Sequence, residues 1–134
     1  MRRLMIALSL SIGLFAGAAP AQEADIQSVI RQQMEALGAD DYATAFDFAS
    51  PSIRGMFGTP DRFGQMVREG YPMVWRPDAV TFGELREVAG RLWQRVIVRD
   101  GDGRFHALDY QMIPGDGGWQ INGVQILPAP GVGA

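Results

Sequence analysis

The chain has 134 residues, with 15 acidic side chains against 12 basic ones, every basic one an arginine, a single histidine and no cysteine. The lack of cysteine and lysine excludes thiol nucleophiles, disulfides, iron–sulfur ligation, a lipidated leader cysteine, the phosphate-loop lysine and Schiff-base chemistry; one histidine excludes a multi-histidine zinc site. The acidic balance excludes a duplex-binding surface, which needs a basic stripe to displace counterions, so no nucleic-acid partner is expected.

Arg2 and Arg3 precede an apolar run over 4–15, and Ala19-Pro20-Ala21 offers small residues at both positions a signal peptidase reads. This predicts a signal peptide over 1–21, cut to leave Gln22 first, and a single domain over 22–134 that is periplasmic or secreted. The 12-residue run reaches only about 18 Å as a helix, whereas a bilayer needs about 20 apolar residues. That argues against the alternative, an uncleaved anchor, and no membrane span is expected. Residues 22–134 carry 10 basic and 15 acidic side chains, a net charge of −5. A domain this short gains from association, so a homodimer is expected.

Ile26, Val29, Ile30, Met34 and Leu37 fall on one stripe of a helix that starts near Glu23 and stops at Gly38. Asp40 or Asp41 caps a second, in which Tyr42, Ala45, Phe46 and Ala49 recur at helical spacing until Ser50-Pro51 ends it. Thr59-Pro60-Asp61 starts a third with a capping hydroxyl, a ring preset for the first turn and an anion at the positive end of the dipole. Phe63, Met66 and Val67 form its buried side, and Gly70 closes it. Three helices are therefore predicted over about 23–70.

After Pro77 the texture changes to β-branched and aromatic runs, predicting a sheet over about 79–127 with strands at 80–88, 91–99, 104–113 and 119–127. Helices first and strands afterwards, without alternation, give an α+β fold with helices on one side of a curved four-stranded antiparallel sheet. In the middle hairpin, a loop of two or four residues pairs Val98 with Phe105, Val96 with Ala107, Gln94 with Asp109 and Leu92 with Gln111. Ile97, Arg95 and Trp93 then share the other face with His106, Leu108 and Tyr110. Both faces hold apolar side chains, which points to a second copy of the chain over part of one.

Three helices and a four-stranded meander, with Asp40-Asp41-Tyr42-Ala43-Thr44-Ala45-Phe46 opening the second helix and Gly118-Trp119-Gln120-Ile121-Asn122-Gly123-Val124 on the last strand, resemble the nuclear-transport-factor-2-like superfamily. With Phe57-Gly58-Thr59-Pro60-Asp61-Arg62-Phe63 and Leu108-Asp109-Tyr110-Gln111-Met112 added, essentially all of the mature chain is similar to an exported bacterial family known as domain of unknown function 4864. The resemblance implies a cystatin-like α+β cone, its sheet wrapped about the first helix, with a pocket at the open end and dimerisation through the sheet. It implies no single activity, because the superfamily holds isomerases and dehydratases beside ligand-binding and scaffold members.

If Trp119 and Ile121 line the inner face, plausible registers bring Asp109 there among Val96, Val98, Ala107 and Phe105, opposite Gln94 and near Gln111. A carboxylate in apolar surroundings has its charged form disfavoured, which raises its pKa toward that of a useful general base. The resemblance adds that ketosteroid-isomerase-like members use an aspartate base. The structural reading is an acid bonded to Gln94 or to a helix arginine, or an outward-facing side chain. Trp75 closes the apolar link Tyr71-Pro72-Met73-Val74-Trp75, which reads as a pocket lip, a partner-binding edge or plain packing. The candidate pocket is therefore Gln94, Asp109, Gln111, Trp75 and Trp119.

His106 lies on the opposite strand face from Asp109, which excludes a dyad within the strand. Ser28, Ser50 and Ser52 lack a base or an elbow motif. Asp100-Gly101-Asp102-Gly103 fails the calcium-loop pattern at Arg104, Phe105 and Gln111 and reads as a hairpin turn, so no metal is expected, and no cofactor. The leading reading is a non-catalytic exported domain that binds a small apolar ligand or an envelope protein. Its alternative is a cofactor-independent isomerase- or dehydratase-like enzyme with Asp109 as general base. A third is an assembly module whose interior is filled by its own side chains.

Overall fold

The computed structural model describes residues 18–128. The expected signal peptide lies outside the described residues except for 18–21, which open α1 (Ala18–Gly38). Among the described residues no helix is long and apolar enough to cross a membrane. The predicted stripe of α1 is its buried side: Ile26 and Ile30 are fully enclosed, Met34 and Leu37 nearly so. In α2 (Tyr42–Asp47) the cap is Asp41, whose carboxylate accepts from the Thr44 amide at 3.2 Å and the Thr44 hydroxyl at 2.7 Å. Those bonds hold the Asp41 carboxyl below the usual range.

Among the described residues four helices are present rather than the three expected, because Ser50-Pro51 both stops one and starts another. The residue before a proline is driven out of the helical region, so α2 cannot continue through Ser50. The same proline is preset for a first helical turn, and the Ser50 hydroxyl accepts from the Ile53 amide at 3.3 Å, which begins α3 (Pro51–Phe57). Gly58 ends it at φ 80°. Thr59-Pro60 repeats the device for α4 (Pro60–Gly70), with the Thr59 hydroxyl accepting from the Arg62 amide at 3.3 Å. Phe63, Gly64 and Val67 are the buried side of α4. A Cβ on Gly64 would lie 2.6 Å from the Tyr42 ring, so the glycine is what lets α2 and α4 approach. A single 3-10 turn, Pro72–Val74, leads to the sheet.

The strands are β1 (Ala79–Val88), β2 (Arg91–Arg99), β3 (Phe105–Gly115) and β4 (Gly118–Ile126), paired antiparallel in chain order. Each end lies within two residues of its expectation. Two bulges bend the sheet. Gly83 and Glu84 together oppose Arg95, and Asn122 is the extra residue between the pairs Gln111–Gly123 and Met112–Ile121.

The middle hairpin departs from the expected register by one residue. Observed partners are Arg99 with Phe105, Val98 with His106, Val96 with Leu108, Arg95 with Asp109, Gln94 with Tyr110 and Leu92 with Met112. The loop closes on a bond from the Asp100 amide to the Arg104 carbonyl at 2.9 Å, which leaves an odd number of residues, 101–103, at the tip. Gly103 sits at φ 81°, the left-handed residue that completes a three-residue hairpin loop. An odd loop reverses the parity of β3 against β2, so the face assignments of the β3 residues invert while Gln94, Val96 and Val98 keep the inner face. His106, Leu108, Tyr110 and Met112 therefore share a face with Gln94, Val96 and Val98, and the helices cover that face. Val96, Val98, Leu108, Tyr110, Met112 and Ile121 form one core with Ile26, Ile30, Met34 and Leu37 of α1 and Phe63 and Val67 of α4.

Candidate functional site

Between the helices and this inner face lies a cavity of about 230 Å³. Gln33 and Leu37 of α1, Ile53, Met56 and Phe57 of α3, and Phe63, Met66 and Val67 of α4 supply the helical walls. Tyr71 and Val74 close one side, while Tyr110, Ile121 and Val124 come from the sheet. Met56, 72% exposed, stands at the rim. The lining contains no charged side chain. Its polar groups are few: the Tyr71 hydroxyl donates to the Val124 carbonyl at 3.1 Å, and the Gln33 amide donates to the Ala45 carbonyl at 3.1 Å. Tyr110 is 1% exposed. Burial pushes its phenol pKa up, helped by the neighbouring Tyr71, so it stays a neutral donor.

None of the five residues expected to form the pocket lines this cavity. Gln94 is fully buried under the β1 bulge, its amide donating to the carbonyls of Gly83 at 2.9 Å and Arg95 at 3.0 Å. Trp75 packs on the Tyr42 ring at 5.6 Å, with the Arg68 guanidinium 4.7 Å above it. Two other members of its apolar link, Tyr71 and Val74, do reach the cavity. Trp119 is half-buried at the end of the inner face, two residues before the cavity residue Ile121.

Asp109 and Gln111 are displaced furthest from their expected place. The inverted parity puts both on the outer face, away from the helices. Asp109, 3% exposed, is gripped by two guanidiniums: Arg86 at 3.1 and 2.6 Å, Arg95 at 2.8 and 3.3 Å. Burial by itself would push the carboxyl up, but the hydrogen bonds and charges of Arg86 and Arg95 outweigh it and hold the pKa at about 2. The expected apolar surroundings and raised pKa are therefore corrected. A carboxylate this acidic is a poor proton acceptor near neutrality. Gln111 joins a second network, in which its Oε1 accepts from Arg91 at 3.3 Å and from Asn122 at 2.7 Å, and Asn122 accepts in turn from the Ser50 hydroxyl at 2.8 Å.

His106 is tied into its own hairpin, with Nε2 2.8 Å from Asp100 Oδ2. The other Asp100 oxygen accepts from the amides of Asp102 and Arg104, both at 2.9 Å, so this carboxylate organises the turn. The bond to His106 is the main reason its carboxyl lies below the usual range.

Fold and cavity together define a class: an α+β domain whose helices cover one face of an antiparallel meander and line a half-open apolar cavity with it. The chain belongs to the family described as a domain of unknown function (DUF4864), whose model matches residues 19–134. Searches of curated proteins and of solved structures gave no match.

Proposed function

We propose that the protein is a non-catalytic, exported carrier of a small apolar ligand, held between the helices and the inner face of the sheet. The observation that supports this is a chamber of about 230 Å³ walled by hydrocarbon and reached past an exposed methionine. Drug-sized pockets start at about 300 Å³, but an apolar cavity of about 150 Å³ is enough to take up benzene. The ligand is thus single-ring or short-chain in size. The leader over 1–21 supports export to the periplasm or beyond, with Gln22 as the first residue of the mature chain. Helices preceding a four-stranded meander, with the first helix packed on its inner face, support the nuclear-transport-factor-2-like cone.

The reading as an isomerase or dehydratase draws no support from Asp109, whose charge is committed to Arg86 and Arg95. A homodimer through the outer face draws support from Phe105 and Val88, 56% and 51% exposed, beside the half-buried Trp93 and Ile97. A monomeric sedimentation mass at micromolar concentration would remove it.

The carrier reading is tested by native mass spectrometry of protein gently purified from the exported fraction, beside a Val67→Trp variant that fills the chamber. The expected result is a small apolar adduct on the natural protein and none on the variant. Equal spectra, with no adduct on either, would count against it.

A further inference from the structure

The chamber has one feature that an empty hydrocarbon hole does not need. Tyr110 is 1% exposed, lines the cavity, and its hydroxyl makes no hydrogen bond among the described residues. The hydroxyl is not one of the fully enclosed polar atoms that lack a partner, so it opens onto the chamber, where an acceptor on a ligand can reach it. Neither neighbouring polar side chain hydrogen-bonds to it: the Tyr71 hydroxyl donates to the Val124 carbonyl, and the Gln33 amide nitrogen donates to the Ala45 carbonyl. Nor does the lining contain a cation to receive an anionic ligand, and a carboxylate buried there would lose its hydration without compensation.

We propose that Tyr110 is the recognition donor of the chamber, and that its ligand is a neutral, ring-sized molecule carrying one carbonyl-type acceptor. This rests on the carrier reading above and adds the chemistry of the cargo to it. In the complex the phenolic O–H donates to the ligand carbonyl, while Phe63, Val67 and Ile121 contact the apolar remainder. Binding and polar satisfaction are then the same event, which sets such a ligand apart from a hydrocarbon of equal shape.

The test is calorimetric titration of the natural protein and of Tyr110→Phe with three probes of one shape: acetophenone, ethylbenzene and benzoate. Acetophenone is expected to bind the natural protein about two- to ten-fold more tightly than ethylbenzene, the range one net hydrogen bond supplies. Benzoate is expected to give no heat of binding. In Tyr110→Phe the preference for acetophenone disappears while ethylbenzene still binds. Equal affinity for acetophenone and ethylbenzene in the natural protein overturns the recognition role and leaves the carrier reading standing. Tighter binding of benzoate also overturns it. A preference for acetophenone that survives in Tyr110→Phe assigns the donor elsewhere and overturns it too. Absence of binding by all three overturns the carrier reading with it.

Discussion

Among the described residues, the polar side chains buried on the outer face of the sheet are partnered: Asp109 by Arg86 and Arg95, Gln111 by Arg91 and Asn122. The inner face buries the Gln94 Oε1 with no partner and turns the Tyr110 hydroxyl, which makes no hydrogen bond among the described residues, onto the chamber. Charge therefore marks the structural side of this sheet, and a single unanswered hydroxyl in an apolar chamber marks the side fit for a ligand. The Gln94 oxygen is a different case, because its amide nitrogen is committed to the bulge carbonyls and it lies off the cavity.

The largest effect expected from breaking this contrast is at Asp109. Asp109→Asn leaves two guanidiniums without their counter-charge, and with Arg86 and Arg95 partly open to solvent the cost is about 2–3 kcal/mol in denaturant unfolding. Ligand uptake in the chamber is expected to be unchanged. Stability equal to the natural protein would mean the outer pair is ornamental.

Next in size is acid sensitivity. The folded Asp109 pKa of about 2 lies below its unbound value of 3.8. The resulting stabilisation is fully present above pH 4 and is lost as pH falls toward 2, about 2 kcal/mol in all. Thermal melts across that interval are expected to fall more steeply for the natural protein than for Asp109→Asn. Parallel slopes would contradict the assignment.

A smaller effect is expected where the two sides are joined, through Ser50. This hydroxyl caps α3 and donates to Asn122 of the outer network. Ser50→Ala is expected to cost about 1 kcal/mol, the usual loss for a helix cap. Chemical unfolding measures it, and no change would argue against the cap.

Smallest is Tyr110→Phe, which is expected to hold or raise the melting temperature, with a gain of at most about 1 kcal/mol. A clear loss of stability would indicate that the hydroxyl already has a partner inside the protein.

Much of this architecture was legible in the sequence. The α1 stripe from Ile26 to Leu37, the Thr59-Pro60 start and the four strands follow from periodicity and capping chemistry that no tertiary contact overrides. The site was less legible because it depends on parity. One residue in the Asp100–Arg104 loop decides whether Asp109 or Tyr110 faces the helices. A signal was present: aspartate at the first position and glycine at the fourth, Asp100 and Gly103, favour a type I turn followed by a left-handed residue, hence an odd loop. Glycine within β1, at Gly83, likewise marks the bulge after which Arg86 reaches Asp109. Ser50-Pro51 carried the same start signal as Thr59-Pro60, hidden by its equally valid reading as a stop. The meeting of Gln33, Phe63 and Tyr110 in one chamber joins three elements far apart in sequence, and no local pattern announces it.

The most direct measurement is a xenon-pressurised crystal of the protein. A xenon peak is expected among Phe63, Tyr110 and Ile121, on the helix side of the sheet. A peak found only on the opposite side, against Trp93 and Ile97, or no peak at all, would contradict the carrier reading.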